Sequence, residues 1–334
     1  MVELIRELTA LDATSGDEKA VRDFIISKIS PFCEYKTDAL GNLIATKKGK
    51  KQPGKKIMLD AHMDEVGLII THITADGFLR FKTVGGINTS ALLFKAVRIN
   101  GKVPGAISGK PIHLTKGDEE KKLPEPDALY IDIGAASGEE AERLVTVGDR
   151  AVMVSDFTVC GKNIISKALD DRVGCAILIK LIETYDEYDF TAVFSTQEEI
   201  GLRGAKTAAF GVNPDAAIVL EGTTAADIAG VDEDKSVCNL GGGAAVSFMD
   251  RSTVYDRDYY AAALSSGIPA QPKRAATGGN NAGAIHVTRE GIRTVAISVP
   301  CRYIHSSSSV ANTDDISAAY ELAKYMIKYI ADDK

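Results

Sequence analysis

The sequence predicts an α/β protein in which a mostly parallel sheet with helices on both faces is interrupted by a smaller β-rich domain. In residues 1–66, and again from residue 163 to the end, apolar strand-like runs alternate with helical stripes. This alternation is typical of a parallel sheet packed between helices. Between residues 67 and 162 the pattern changes to short β-type runs separated by turn residues. We therefore assign residues 1–66 and 163–334 to one domain and residues 67–162 to an inserted β-rich domain.

Each element follows from its hydrophobic period and from the turn residues that flank it. The first part of the chain predicts helices over 2–11 and 21–29, a hairpin of strands over 33–37 and 42–46, and a buried strand over 56–61. The inserted part predicts strands over 68–73, 78–82, 96–99, 106–107, 128–133 and 151–154, a helix over 138–144, and a loop over 116–126.

The last part of the chain resumes the alternation of helices and strands. The predicted helices cover 171–185, 204–210, 257–266, 281–288 and 313–331. The predicted strands cover 190–196, 216–220, 244–248, 271–275 and 294–299. Buried parallel strands of this kind commonly present functional side chains at their carboxyl ends, where ligands bind in open α/β sheets.

Composition excludes several classes of protein. The formal net charge is −7, and the longest basic run, residues 47–56, fits a solvated hairpin end better than a nucleic-acid surface. No apolar stretch approaches ~18 residues, so we expect no membrane span, and the N-terminus lacks the layout of a signal peptide. The five cysteines are scattered without a C-x-x-C motif, which predicts free thiols and a cytoplasmic protein. We expect neither nucleic acid nor membrane as a partner.

Two adjacent carboxylates, Glu198 and Glu199, follow the predicted strand over 190–196. Successive residues of an extended chain point to opposite sides, so the two acids can serve different purposes. Taken alone, such a pair is more simply a solvated acidic loop. The functional reading depends on what the other strand ends contribute.

Other strand ends carry further potential metal ligands. His62 and Asp64 follow one predicted strand, Glu221 directly follows another, and His305 lies shortly after the last strand. Asp170 and Asp171 open a predicted helix, although either could simply cap it. Two histidines and several carboxylates at neighbouring strand ends suit zinc or a similar divalent ion. A carboxylate between two metals, beside an unliganded glutamate, is what two-metal hydrolysis needs. The residues therefore favour a metal site.

Rival chemistries fit less well. No G-x-S-x-G surrounds a serine, no G-x-G-x-x-G opens a helix, and the run Gly105–Lys110 is one residue short of a P-loop. A glycosidase would need two carboxylates facing each other ~5–9.5 Å apart, whereas adjacent residues of a strand point apart. It would also leave the histidines without a role.

At these residues the chain resembles the M42 family of dinuclear metallo-aminopeptidases, which are glutamyl-aminopeptidase-like enzymes. The resemblance spans essentially the whole chain and implies a zinc-peptidase-like arrangement of the sheet and its helices. The matching segments are LDAHMDEVGLII (59–70), SKALDDRVGCAIL (166–178), STQEEIGLRGA (195–205), VLEGTTAADIAG (219–230) and the run from GGNNAGAIH through ISVPCRYIHS (278–306).

The resemblance implies a role for each residue. The five metal ligands that it implies for two divalent ions per subunit (Zn, Co or Mn) are His62, Asp170, Glu199, Glu221 and His305. Asp170 would bridge the ions, with His62 and Glu221 on one side and Glu199 and His305 on the other. Glu198 would be the general base that takes a proton from the water between the metals. Asp64 would hydrogen-bond the His62 imidazole and orient it.

The resemblance also implies that the enzyme is a metal-dependent aminopeptidase that removes the N-terminal residue of short peptides. The inserted domain would serve oligomerisation, with dimers assembling into a dodecamer. Many members carry Asp at the position of Glu221 and Thr-Asp at Asn280–Asn281; the longer Glu221 arm could change the metal preference. A deacylase or other amidohydrolase on a related dinuclear scaffold is the alternative, and a requirement for a free amino terminus separates the two.

Overall fold

A computed structural model describes residues 1–111, 114, 123–274 and 278–333 of the chain. Its strands are β1 (Glu34–Thr37), β2 (Leu43–Lys47), β3 (Ile57–His62), β4 (Gly67–Ile73), β5 (Leu79–Val84), β6 (Ala96–Ile99), β7 (Val103–Ser108), β8 (Tyr130–Asp132), β9 (Arg150–Met153), β10 (Thr158–Cys160), β11 (Asn163–Ser166), β12 (Phe190–Ser195), β13 (Ala216–Thr224), β14 (Ala244–Ser247), β15 (Ala270–Lys273), β16 (Arg293–Arg302) and β17 (Ser309–Asn312).

Its α-helices are α1 (Val2–Thr9), α2 (Lys19–Ile29), α3 (Gly138–Glu142), α4 (Leu169–Thr184), α5 (Arg203–Val212), α6 (Arg257–Leu264), α7 (Ala282–Ile285) and α8 (Thr313–Asp332). Most predicted elements are present within a few residues of their predicted ends. Three strands, β10, β11 and β17, were not predicted. The loop predicted over 116–126 and the end of the strand predicted over 271–275 lie partly outside the described residues.

Eleven strands form one large sheet in the order β1-β2-β12-β3-β13-β16-β17-β11-β10, with β14 against β16 and β15 against β14. The four central strands, β12, β3, β13 and β16, are parallel to one another. Towards both margins the pairs are antiparallel, apart from β14 and β15. The prediction of a mostly parallel sheet therefore holds for the centre and is wrong for the margins. A short connection, such as that between β1 and β2, joins antiparallel neighbours. The hydrophobic period of a strand does not reveal the direction of its neighbour.

Helices cover both faces of the large sheet. Side chains of α1, α2, α4, α6 and α8 pack with one face, whereas those of α5 and α7 pack with the other. In β3, Ile57 and Leu59 face the first layer and Met58 faces the second. Because side chains alternate along a strand, His62 projects from the same face as Met58. The same alternation places Glu221 on the face of Val219, towards α5 and α7.

The six strands β4-β5-β8-β7-β6-β9 close into a separate barrel around its own apolar core. These strands all lie between Gly67 and Met153. β10 falls inside the predicted insert, but it pairs with β11 in the large sheet. Among the helices that the structure describes, none combines the length and the apolar character needed to cross a membrane.

Candidate metal centre

The carboxyl ends of the central parallel strands bring the predicted site residues together. His62 is the last residue of β3, and the loop with Glu198 and Glu199 follows β12. Glu221 was expected just after its strand, but it lies inside β13, which continues to Thr224. The reason is the parallel partner, because β16 pairs with β13 residue by residue to the very end of that strand.

Asp170 lies between two imidazoles. On one side, Nε2 of His62 is 3.4 Å from Oδ1 of Asp170 and 3.2 Å from Oε1 of Glu221. On the other side, Nε2 of His305 is 3.6 Å from Oδ2 of Asp170 and 3.3 Å from Oε2 of Glu199. Each carboxylate oxygen of Asp170 thus faces a different histidine. The five residues predicted as ligands form two sets that share one aspartate.

These donor sets fit divalent metal ions. Ligand atoms arranged tetrahedrally at zinc-type distances of ~2.0–2.1 Å lie about 3.3 Å from one another, which matches the N···O separations above. Three of the donor atoms are buried without a hydrogen-bond partner, namely Nε2 of His62, Oδ1 of Asp170 and Oε2 of Glu221. Buried polar atoms are normally paired, so three orphaned donors that converge on one spot are well explained by a bound cation.

The electrostatics of the site also favour a cation. Burial raises the pKa of the Glu221 carboxyl to about 8. Burial opposes the charged form of His305, yet the carboxylates of Asp170 and Glu199 raise its pKa to about 11. Asp170 is buried too, but the two imidazoles beside it hold its pKa below the ordinary value. Acidic groups outnumber basic ones here, and divalent ions would balance the excess.

Asp64 contacts the His62 imidazole and also holds other parts of the site. Nδ1 of His62 lies 3.0 Å from the backbone oxygen of Asp64 and 3.4 Å from its carboxylate. The carboxylate instead accepts hydrogen bonds from the backbone N–H groups of Glu198, at 3.0 Å, and Glu199, at 3.2 Å. It also accepts one from the hydroxyl of Ser15, at 2.6 Å. Asp64 therefore ties the end of β3 to the loop that carries the acidic pair.

Glu198 and Glu199 are used differently, as their adjacency suggested. Glu199 contacts His305, whereas the Glu198 carboxylate accepts no hydrogen bond from the part of the chain that the structure describes. Burial raises the pKa of the Glu198 carboxyl well above its usual range, and the nearby charges of Glu221, Glu199 and Asp170 add to this effect. Glu198 is thus a carboxyl group without a structural partner that lies beside the donor sets.

Asp171 belongs to one compact group of potential ligands, with His62 and Glu221. Its two oxygens, however, accept hydrogen bonds from the backbone N–H of His62, at 3.2 Å, and of Gly174, at 3.0 Å. The second bond satisfies an N–H group in the first turn of the regular part of α4, which is what a capping aspartate does. The geometry therefore gives Asp171 a positioning role.

The ligand sets open into a cleft of about 430 Å³. Asp170, the acidic pair, Glu221 and His305 lie on one part of its wall. The remaining wall comes from Gly222–Thr224, Val237, Lys273, Gly278–Asn280 and Ile304. The cleft is large enough for a side chain and part of a peptide backbone beside the candidate metal centre.

The family model for M42 glutamyl aminopeptidases matches residues 41–322. The chain belongs to the M42 family. It is 41% identical to a candidate aminopeptidase of Acetivibrio thermocellus over 96% of this chain and 97% of that protein. It is 32% identical to a lysyl aminopeptidase of Pyrococcus furiosus over 98% of this chain and 96% of that protein. Its fold is similar to that of the TET1 peptidase of Pyrococcus horikoshii, with a TM-score of 0.86, 34% identity and coverage of 97% and 98% of the two chains.

Some site features of this M42 chain were not predicted from its sequence. The backbone oxygen of Gly86, in the loop after β5, lies 2.7 Å from Nδ1 of His305. Ser15 was not predicted to touch Asp64. Lys273, in the cleft wall, was not among the predicted site residues. Backbone carbonyls and single polar residues have no spacing pattern, so only the tertiary contacts identify them.

Proposed function

We propose that this M42 protein is a metal-dependent aminopeptidase that removes the N-terminal residue of short peptides. The observation that carries the proposal is the pair of donor sets that share Asp170, next to a carboxyl group, Glu198, that has no structural partner. A metal site that only stabilises the fold has no use for such a group.

Two divalent ions would be held by the two donor sets. His62, Glu221 and one oxygen of Asp170 would hold the first, and the other oxygen of Asp170, Glu199 and His305 would hold the second. When bound, such ions polarise a scissile carbonyl and lower the pKa of water towards ~7.

The chain's own residues supply the proton transfer and the positioning. Glu198 takes a proton from the attacking water and delivers it to the leaving amine. Asp64 holds the backbone of Glu198 through a hydrogen bond of 3.0 Å. The base therefore keeps a fixed position relative to His62, at the end of β3. The free α-amino group of the peptide is held near the metals or a carboxylate of the cleft.

Glu198→Gln tests the mechanism. The substitution keeps the size of the side chain but removes the base, so we expect kcat to fall by about 10²- to 10⁴-fold while both metals remain by elemental analysis. Glu290→Gln, at an exposed position, is the matched control and should keep full activity. If Glu198→Gln retains both its metals and full peptidase activity, the proposed mechanism is wrong.

The requirement for a free amino terminus tests the reaction class. Peptides with an acetylated N-terminus should be inert, whereas the same peptides without the acetyl group should be cleaved. Release of acetate from the acetylated peptides, with no cleavage of the free ones, would favour the deacylase instead.

The proposal includes assembly. The Pyrococcus horikoshii relative can assemble into a tetrahedron or a large octahedral shell, and another structure of 34% identity is described as a dodecamer. We propose that residues 67–162 form the oligomerisation domain between the two catalytic segments, 1–66 and 163–334, and that dimers build a particle of twelve subunits. Light scattering on the metal-loaded protein should give twelve times the chain mass of 35.5 kDa; a monomer would contradict this part of the proposal.

A further inference from the structure

Lys273 is a cation in the wall of the cleft that holds the candidate metal centre. It is the last residue of β15, and it shares the cleft wall with Glu198 and Glu221. The residue is only 6% exposed. Its ammonium nitrogen is nevertheless not fully sealed from solvent. The aliphatic part of the Lys273 side chain is therefore buried, and its ammonium group is available to a ligand in the cleft.

Within the described residues, the Lys273 ammonium has no partner. No carboxylate lies within 4.0 Å of it, and no hydrogen bond joins it to a backbone or side-chain acceptor. Three of the four acidic residues of the cleft, Asp170, Glu199 and Glu221, each contact a histidine. The fourth, Glu198, shares the cleft wall but forms no ion pair with Lys273. Lysine is rarely buried without a paired charge because burial disfavours its charged form. A ligand that brings a carboxylate would supply what the protein does not.

We infer that Lys273 selects substrates with an acidic N-terminal residue by pairing with the carboxylate of its side chain. This inference rests on the proposed aminopeptidase function. Family membership does not determine the preference, because the family model is described by glutamyl substrates and a relative of 32% identity is a lysyl aminopeptidase. The preference of this protein for the N-terminal residue of its substrate therefore depends on a residue inside its own cleft.

The surroundings of Lys273 suit a carboxylate better than an apolar side chain. Thr223, two residues after Glu221 and on the same face of β13, shares the cleft wall and carries a hydroxyl group that can donate to a second oxygen. Val237 covers one side of the wall and excludes water from it. A lysyl or arginyl side chain would meet an unpaired like charge, which disfavours it.

The experiment uses aminoacyl p-nitroanilides of Glu, Gln, Leu and Lys with the metal-loaded full-length protein. These substrates have no C-terminal carboxylate, so any effect of Lys273 is an effect on the N-terminal side chain. We expect kcat/KM for Glu to exceed that for its neutral isostere Gln by at least about tenfold, since a charge-assisted hydrogen bond is lost with Gln. A preference for Leu or Lys over Glu overturns the inference and leaves the aminopeptidase function intact.

Two variants locate the effect. Lys273→Met should lower kcat/KM for Glu by about 10- to 100-fold, chiefly through KM, and should change the values for Gln and Leu by less than threefold. Lys273→Glu should turn the preference towards Lys. Lys206→Met removes one charge from an exposed position on α5 outside the cleft, so its Glu-to-Gln ratio should equal that of the parent. An equal loss on all four substrates in Lys273→Met overturns the inference.

A binding measurement separates failure of this inference from failure of the proposed function. Calorimetry of L-glutamate and L-glutamine with the metal-loaded protein needs no turnover. Tighter binding of L-glutamate by the parent, abolished in Lys273→Met but kept in Lys206→Met, supports the role of Lys273 even if no anilide is cleaved. Equal binding of the two amino acids overturns it, whatever the outcome of the activity assay.

Discussion

At the scale of single residues, the site depends on side chains that would hold metals and equally on side chains that hydrogen-bond to the backbone. Asp64 is the clearest case. Its carboxylate accepts hydrogen bonds from the backbone N–H groups of Glu198 and Glu199 and from the hydroxyl group of Ser15. Burial disfavours the charged form of Asp64, but the hydrogen bonds and the charge of His62 outweigh it and lower the pKa. The aspartate is therefore held in its accepting state.

Asp64→Ala should destabilise the loop that carries Glu198. The partly buried N–H groups of Glu198 and Glu199 would lose their acceptor, at a cost of about 1 kcal/mol each, and kcat should fall because the base is no longer held in place. Urea unfolding and steady-state kinetics measure the two effects. Ser15→Ala removes only a hydroxyl donor and should cost much less. Equal stability of the two variants would contradict the assignment of Asp64 as the anchor.

At this scale the structure brings together the five residues that the sequence predicted as ligands. His62, Asp170, Glu199, Glu221 and His305 lie together, each at a distance suited to a shared cation. The Asp64 carboxylate was predicted to contact the His62 ring and lies 3.4 Å from its Nδ1, but the backbone oxygen of Asp64 is nearer, at 3.0 Å. Which of the two oxygens comes nearer depends on the path of the chain after β3, and the sequence pattern does not reveal that path.

At the scale of elements, the barrel and the large sheet meet at the site. The loop after β5 places Gly85 against Val66 and Glu199: a Cβ built on Gly85 would lie 2.8 Å from Cγ1 of Val66 and 3.3 Å from Cβ of Glu199. The next residue, Gly86, accepts the hydrogen bond from His305. A loop of the barrel thus supports two of the candidate ligands.

Gly85→Ala should weaken metal binding. The added Cβ would push on Val66 and displace the loop from Glu199 and His305, so metal affinity measured by competition with a chelator should fall. Gly148→Ala is the matched control: both glycines have positive φ, +83° and +98°, but nothing lies within 4 Å of a Cβ at Gly148. Both variants should lose about 1 kcal/mol of stability from the backbone conformation. If both lose metal affinity equally, crowding at Gly85 is not the cause.

Element positions were predicted better than their extents and directions. The strand over 216–220 was found, but β13 continues to Thr224 because β16 offers it a partner along that whole length. β17 was missed since its small polar residues resemble a loop, and it becomes a strand by pairing with β11 and β16. Pairing partners decide such strands, and a local pattern cannot supply them.

At the scale of the whole molecule, the candidate metal centre joins segments that are far apart in the chain. His62, Asp170, the acidic pair, Glu221 and His305 come from five separate stretches. Without cations their carboxylates repel one another and three donor atoms stay unpaired. Bound ions would therefore stabilise the fold as well as enable catalysis.

Removal of metal should lower the melting temperature. An ion that binds only the folded state stabilises it by about 2.7 kcal/mol at a concentration 100-fold above its Kd, so a chelator should lower Tm by several degrees in scanning calorimetry. Re-addition of Zn, Co or Mn should restore it. Asp170→Ala, which removes the shared ligand, is the control and should show no shift with chelator. An unchanged Tm in parent protein that has demonstrably lost its metal would contradict a stabilising role.

The sequence by itself determined the order of helices and strands, the change to short β-runs between residues 67 and 162, and the kinds of residue that end the central strands. These features follow from the local hydrophobic period and from motifs that can be recognised without knowing the tertiary contacts. The tertiary structure alone decided that the marginal pairs beyond the predicted hairpin are antiparallel, that Gly86 orients His305, and that Lys273 lies in the cleft wall without a partner among the described residues. Each of these depends on which distant segments meet, and packing over the whole chain sets that, not the residues on either side.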